Sequence, residues 1–408
     1  MANMDLTAGA KVLKVLYPQT KIEDIIYEDN PFLGIVAKKT GFVGEKMRVA
    51  LSYGDPQGRS GTFSKAQANK TASLITGFDV TRKSDYALFG IDGEAWEAST
   101  ASGKGAIIDL FKREMKGTLR NLSNSAGKSA FGNGSGSRGK ITSAVHAGGK
   151  TTVTLTQALD IVNFEVGMTI NTSLLETGGV SKNNDWKIES IDRNLGKFVL
   201  TGDATANVLA NDYIHVSGDY DKMMTGLAGW LPYTAPTAGD NFFGVDRSVD
   251  AERLAGIRLD ASALPIEEAL LYQEEKLTQI GARPDYVFMN QRKVTELKIA
   301  LGSKVTFVDI LSQNSTGRIA KMSYKGIAFD GNKGIIKVIA DRNCPYDRSY
   351  MIQSDTWSLH TLGTMPKWLE LDNNKMLREA SADAYEGRLG YRGNFTCDAP
   401  GFNSVAKV

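Results

Sequence analysis

The chain has 408 residues but only two cysteines and three histidines. Cys344 and Cys397 stand far apart, so they supply neither a disulfide framework nor a zinc-ligand spacing, and they read as free thiols suited to a reducing cytosol. His146, His215 and His360 each fall in a strand-like stretch with no metal-ligating neighbour three or four residues on, so no metal site is expected. Charge of one sign is also missing: 48 Lys and Arg against 46 Asp and Glu leave a net +2, which excludes a strong global attraction to nucleic acid or membrane and leaves only local basic faces. No apolar run approaches the roughly 18 residues of a membrane span. Val12–Leu16 is too short and too charged for a signal-peptide core.

Catalytic arrangements are missing as well. Serine, histidine and aspartate occur without a nucleophile elbow, and the pairs Glu267-Glu268 and Glu274-Glu275 sit on a helical pattern whose apolar face lies elsewhere, so they read as solvated charge. The 5 tryptophans and 14 tyrosines are scattered, as core or interface anchors are. These absences favour a structural role with no cofactor and no enzymatic activity.

Glycine, by contrast, is plentiful, with 42 residues. Gly134-Ser135-Gly136-Ser137-Arg138-Gly139-Lys140 has the spacing of a phosphate-binding loop, but Ile141 stands where a hydroxyl should reach magnesium. A second near-copy ends Gly148-Gly149-Lys150-Thr151, with Ala144 in place of the leading glycine. Such a loop works by placing phosphate on a helix N-terminus. Here a helix precedes the glycines, and Thr151–Thr156 alternates polar and apolar like a half-buried strand. The better reading is a flexible hinge running into a β-rich insert.

The rest of the chain divides by pattern. Residues 1–40 read as an arm, interrupted by Pro18 and Pro31 and carrying Glu23, Asp24, Glu28 and Asp29. Residues 41–90 read as a long β ribbon, with Met47–Leu51 on one side and Leu74–Val80 on the other. Between them, residues 52–70 lack apolar periodicity and should project as a flexible hairpin or loop. From Lys104 to about Lys128, Ile108, Phe111, Met115, Leu119 and Leu122 form one apolar stripe, with Asp109 and Arg113 as an i,i+4 pair on the wet side and Gly127 at the end. Residues 138–221 are short alternating segments between Gly, Asn and Asp turns, an inserted all-β barrel or sandwich. Then α and β mix. Pro265 opens a helix through Ile266, Leu270, Leu277 and Ile280, closed by Gly281. Asp285–Met289 is a strand, Asn290 caps a helix ended by Gly302, and strands follow at Gly334–Ile339 and Tyr350–Ile352. From 355 onward the tail is β-like.

This order of parts resembles the major capsid proteins of tailed bacteriophages, the Hong Kong ninety-seven fold. Local stretches are similar too: Met224–Leu231 resembles the lead into the axial domain, Pro284–Asn290 its strand-to-helix turn, and Tyr385–Tyr391 with Asn394, Phe395 and Pro400 the closing strands. The resemblance implies an α+β capsid fold divided as N-terminal arm 1–40, extended loop 41–90, peripheral domain with spine helix 91–137, inserted β domain 138–221, axial domain 222–354, and return strands of the peripheral domain 355–408.

It further implies self-assembly into hexamers and pentamers that form an icosahedral shell around double-stranded DNA in the virion, assembled in a bacterial cytoplasm. Asp55, Arg59, Phe63, Lys65 and Lys70 at the loop, with Arg113 and Glu114 on the helix, are the expected assembly contacts. The loop's basic groups should meet acidic groups on a neighbour's spine helix or peripheral strands. No long charged helical scaffolding segment is visible, which implies a separate scaffolding protein beside a portal and a decoration protein, and the start at Met1 argues against a removed propeptide. Lys65, Lys70, Asn373 and Asn374 could serve the inter-subunit cross-link of some relatives, but no catalytic Glu is identifiable. The insert is expected on the outer surface. Competing readings are an encapsulin-like compartment shell, a nucleotide-dependent enzyme built on the glycine cluster, and a β module on a tail or surface protein.

Overall fold

The computed structural model describes residues 30–93, 104–302, 307–311, 323–370, 375–379 and 382–408. Most of the expected arm, including Pro18, Glu23, Asp24, Glu28 and Asp29, lies outside the described residues, as do Asn373 and Asn374. The chain forms two compact units. The first holds Lys83–Thr225 and Gly363–Arg392 with the stretch ending at Leu33; the second holds Gly34–Arg82, Gly226–Leu362 and Gly393–Val408.

In the first unit the apolar stripe produces the long helix Lys104–Phe131. Met115, Leu119, Leu122, Ala126 and Ala130 are buried at spacings of three and four. The helix does not stop at Gly127. Ala126, Ala130 and Phe131 continue the buried stripe, so tertiary packing carries the helix one turn past the residue whose propensity would end it. Asn30 donates its amide to Ser123 Oγ at 3.0 Å, and Phe32 packs on Phe131 with ring centroids 5.8 Å apart. Strand Lys83–Asp92 pairs with the long strand Ala384–Cys397. The expected ribbon therefore ends at Thr81, and residues 83–90 belong to a different sheet.

After the helix comes a closed six-stranded barrel. Its strands, in closing order, are Tyr213–Val216, Ser137–Ala147, Lys150–Leu155, Lys197–Thr201, Trp186–Asp192 and Thr169–Ser173. Inward positions supply its core: Ile141, Val153, Phe164, Ile170, Phe198 and Ile214. The glycines of the two phosphate-loop look-alikes have structural jobs here. Gly148 and Gly149, at φ 60° and 76°, are the two-residue turn between paired Ala147 and Lys150, a turn that needs positive φ at both positions. Gly134 and Gly136, at φ 94° and 77°, let the incoming connector touch the outgoing one. A Cβ on Gly134 would lie 2.7 Å from Thr225 Oγ1, and one on Gly136 2.7 Å from Asp219 O. The cluster is thus a fixed crossing of two chain segments, where a flexible hinge was expected.

The second unit is built on a seven-stranded sheet, in order Ile257–Asp260, Ser404–Lys407, Arg348–Ile352, Tyr286–Met289, Gly334–Ala340, Ser323–Gly331 and Phe307–Leu311. Val287, Val338 and Met351 face a core shared with Leu270 and Leu277 of helix Ile266–Gln279 and with Val294 and Leu297 of helix Gln291–Leu301. Asn290 caps the latter by accepting from Arg292 N at 3.1 Å, and Gly302 leaves it at φ 54°. Two expectations are corrected. Residues 355–408 are not one set of return strands, because Ser404–Lys407 is the second strand of this sheet, parallel to Ile257–Asp260. Nor is Glu274 solvated: it is 4% exposed and accepts from Asn332 N at 2.8 Å and Asn332 Nδ2 at 3.0 Å. Those donors satisfy a carboxylate that the helical periodicity alone would place in water.

Candidate assembly surface

The ribbon of the second unit is a two-stranded antiparallel sheet, Lys46–Gly54 against Leu74–Thr81, in the register Met47↔Val80 and Val49↔Phe78. Its base is buried through Val49, Leu51, Phe78 and Val80. Phe78 meets Trp230 edge-on at 5.0 Å, and Trp230 meets Phe242 at 5.1 Å. The Arg247 guanidinium lies 3.9 Å from the Phe242 ring centroid while its Nε donates to Asp240 Oδ2 at 2.7 Å. Phe243, at φ 50°, gives its carbonyl to Asp79 N at 2.9 Å. A bulky residue at positive φ is held there only by its surroundings, here the aromatic cluster. An isolated hairpin is marginal in water, so this cluster is what holds the ribbon in place.

Away from the base, burial falls off. Residues 55–75 include no buried residue. The tip closes on itself through short-range bonds: Gln57 N donates to Thr71 Oγ1 at 2.8 Å, and Gln57 Nε2 to Asp55 O at 3.0 Å. Where a flexible hairpin or loop was expected, the tip carries a short helix, Phe63–Ala68, with Lys65 O accepting from Asn69 N at 2.9 Å. Alanine and glutamine favour that turn of helix without any apolar face. Phe63, its first residue, is 84% exposed.

The structure thus gathers Asp55, Arg59, Phe63, Lys65 and Lys70 on one solvent-facing tip whose charged side chains take part in no ion pair among the described residues. Arg113 and Glu114 are exposed on the long helix of the other unit. The basic loop was expected to meet acid on a neighbour's spine helix or peripheral strands. From Arg113 onward the helix exposes Arg113, Glu114, Lys116 and Arg120.

Sequence reasoning missed a second feature, a polar node where the barrel joins its host. Ser125 Oγ of the long helix donates to Asp85 Oδ2 at 2.6 Å, and Tyr391 OH donates to the same oxygen at 3.1 Å. Arg138, on the incoming connector, lies 3.9 Å from Asp219 on the outgoing one, and Lys83 Nζ donates to Asp221 O at 2.8 Å. Burial pushes both carboxylates up, Asp219 to about 6, against the pull of Arg138. No local signal announces this node, because Asp85 and Tyr391 are 306 positions apart. The three histidines sit on strands and form no metal cluster among the described residues. Cys344 and Cys397 are buried thiols.

No family model matches the chain, and no curated protein matches it. Among solved structures it is similar to the capsid asymmetric unit of cyanophage A-1(L), with 12% sequence identity, coverage of 93% of this chain and 92% of that one, and a TM-score of 0.52. The chain therefore has a phage capsid-protein fold along nearly its whole length. Mycobacterium phage Ogopogo, at 8% identity, 93% and 92% coverage and a TM-score of 0.42, and the capsid of a native GTA particle, at 8% identity, 92% and 89% coverage and a TM-score of 0.44, are also similar.

Proposed function

We propose that this chain is a major capsid protein, a structural subunit that assembles with copies of itself into hexamers and pentamers and closes an icosahedral shell around double-stranded DNA. The carrying observation is the fold it shares with the cyanophage capsid chain over 93% of its length. The ribbon supports the same reading. A tip with no buried residue contributes little to its own subunit's core. Ordering it costs about 1–2 kcal/mol per residue in backbone entropy, and contacts with another molecule would offset that cost.

In this reading residues 1–40 are the arm, 41–82 the extended loop, 83–137 the peripheral domain with the spine helix, 138–221 an inserted domain on the outer surface, and 222–354 the axial domain, with 355–408 divided between return strands of the peripheral domain and the last strand of the axial sheet. Asp55, Arg59, Phe63, Lys65 and Lys70, with Arg113 and Glu114, are contact residues between subunits. A separate scaffolding protein, a portal and a decoration protein complete the particle, DNA is held by non-specific contact, and the protein needs no cofactor and catalyses nothing.

The test is to express the chain in a bacterial cytoplasm and image it by negative-stain microscopy, beside a variant with residues 55–68 replaced by a short Gly-Ser turn. Closed particles or tubes are expected from the parent. The variant should be folded, with nearly unchanged melting, yet form no closed particles. A parent that stays monomeric at high concentration with scaffolding protein present would refute the reading.

A further inference from the structure

The barrel is tied to its host through a short stretch of the outgoing connector, residues 219–221. Asp221 N donates to Ser135 O at 3.0 Å, and Asp221 O accepts from Lys83 Nζ at 2.8 Å. The Asp221 carboxylate accepts from Gly178 N at 2.9 Å, while Tyr220 OH accepts from Gly179 N and donates to Leu175 O, both at 3.0 Å. Three residues therefore hold together the incoming connector, a host strand and the barrel loop 174–181. Asp221 does so at φ 56°, a left-handed conformation that its partners must maintain. The crossing has no slack, since a Cβ on Gly136 would lie 2.7 Å from Asp219 O.

Charge at this crossing is unbalanced. Asp219 and Asp85 repel each other there and share one cation, Arg138, which lies 3.9 Å from Asp219 and also donates to Asn163 O at 3.4 Å. Lys83 is engaged by a backbone carbonyl, Lys222 is exposed on the connector itself, and Ser125 and Tyr391 offer Asp85 only neutral donors. We infer that residues 219–221 form a charge-operated clasp between barrel and host. It is shut while Asp85 and Asp219 carry one charge between them. It opens locally, with barrel and host still folded, when the pair takes its second charge.

Burial raises both carboxyls, Asp219 to about 6, so the shut clasp favours their neutral forms. That preference is complete below the ordinary 3.8 and is lost as pH climbs through about 6. Burial holds His215, which packs on Tyr220 and is opposed by Asp221, at about 4, so it stays neutral through the step. Glu176 of the loop is also raised by burial, against Lys128, Asn133 and Lys140, and is the group to be told apart from Asp219. The clasp belongs to the single chain and does not depend on the shell reading.

The experiment is hydrogen exchange read by mass spectrometry on the full-length chain at pH 5 and pH 7.5, with rates corrected for the chemical pH dependence of exchange. With Asp219 returned to its ordinary 3.8 in the open clasp, the rise to about 6 corresponds to about a hundredfold change in the opening equilibrium. Amides of residues 133–138, 174–181 and 217–222 should lose protection by up to that factor at pH 7.5. Strands Lys150–Leu155 and Lys197–Thr201 should keep theirs. Asp219→Asn should hold the clasp shut at both pH values, and Glu176→Gln should respond as the parent does. Equal protection of the parent's clasp at the two pH values overturns the inference, and so does a loss shared evenly by the barrel strands, which is global unfolding. A response that survives in Asp219→Asn, or that vanishes in Glu176→Gln, overturns it as well.

Discussion

Tyr391 and Ser125, drawn from a β-strand and the long helix, donate to the same oxygen of Asp85, at 3.1 and 2.6 Å. Asp85 is thereby tied to two other elements of the first unit, and both donors favour its ionised form against the burial that pushes its pKa up. Ser125→Ala removes the shorter bond without opening a large cavity. The expected cost is about 1–3 kcal/mol, because a buried carboxylate oxygen loses its better donor. Chemical denaturation should show it as a lower midpoint with an unchanged slope. Tyr391→Phe should cost less, since the longer bond is the weaker one.

Asp219 lies beside this node, with its pKa raised to about 6 by burial. A carboxyl raised above its unfolded value contributes stability that is complete below about pH 4 and is lost as pH climbs through about 6. The shift corresponds to no more than about 3 kcal/mol. Asp219→Asn keeps the shape and removes the charge. Its expected effects are a higher melting temperature at pH 7 and no penalty on raising the pH from 4 to 6. Thermal melts across that range check both.

His215 has the opposite sign. It is buried in the barrel, with Ser181 Oγ 2.7 Å from its Nε2 and the Tyr220 ring 4.9 Å away, and burial pushes its pKa down to about 4 against the pull of Asp221. Its contribution is complete above about pH 6.5 and is lost as pH falls toward 4, again by about 3 kcal/mol. The two groups oppose each other across nearly the same window, so each should offset part of the other's slope between pH 4 and 6. Asp219→Asn should unmask acid sensitivity, and His215→Gln should leave a protein that grows more stable as pH falls. Parallel slopes for both variants would sink the assignment.

The parts that were legible in the sequence rest on local chemistry. Periodicity gave the long helix, Asn290 and Gly302 bounded a helix at its two ends, and alternation between turn residues placed a β insert. The tip was readable as a segment unable to bury itself, though its short helix was not, because a single turn leaves no apolar signature. Long-range features stayed hidden. Nothing near Glu274 announces Asn332, 58 positions away, and nothing in Ser404–Lys407 shows that it enters the seven-stranded sheet between Ile257–Asp260 and Arg348–Ile352. The glycine cluster misled through composition. Gly134 and Gly136 permit flexibility in principle, but the close approach of Thr225 and Asp219 takes it away.

The barrel itself is expected to fold without its host. Its strands close on one another, and its core draws on Ile141, Phe164, Phe198 and Ile214 from within the insert. Polar ties inside it are also self-contained. Asn171 Nδ2 and Ser217 Oγ both donate to Asp185 Oδ1, at 2.9 and 2.6 Å, and Lys182 pairs with the fully buried Asp212 at 2.5 Å. Among the described residues, contacts that leave it include Glu176 with Asn133 and Lys128, and Lys83 with Asp221 O. Residues 137–221 expressed alone should therefore give a cooperatively melting β protein with dispersed amide signals. Lys182→Met should destabilise it by about 3–5 kcal/mol, because Asp212 would be left as an unpaired buried charge. A broad melt from the isolated segment, or a Lys182→Met variant as stable as the parent, would show that the host supplies part of the barrel's core.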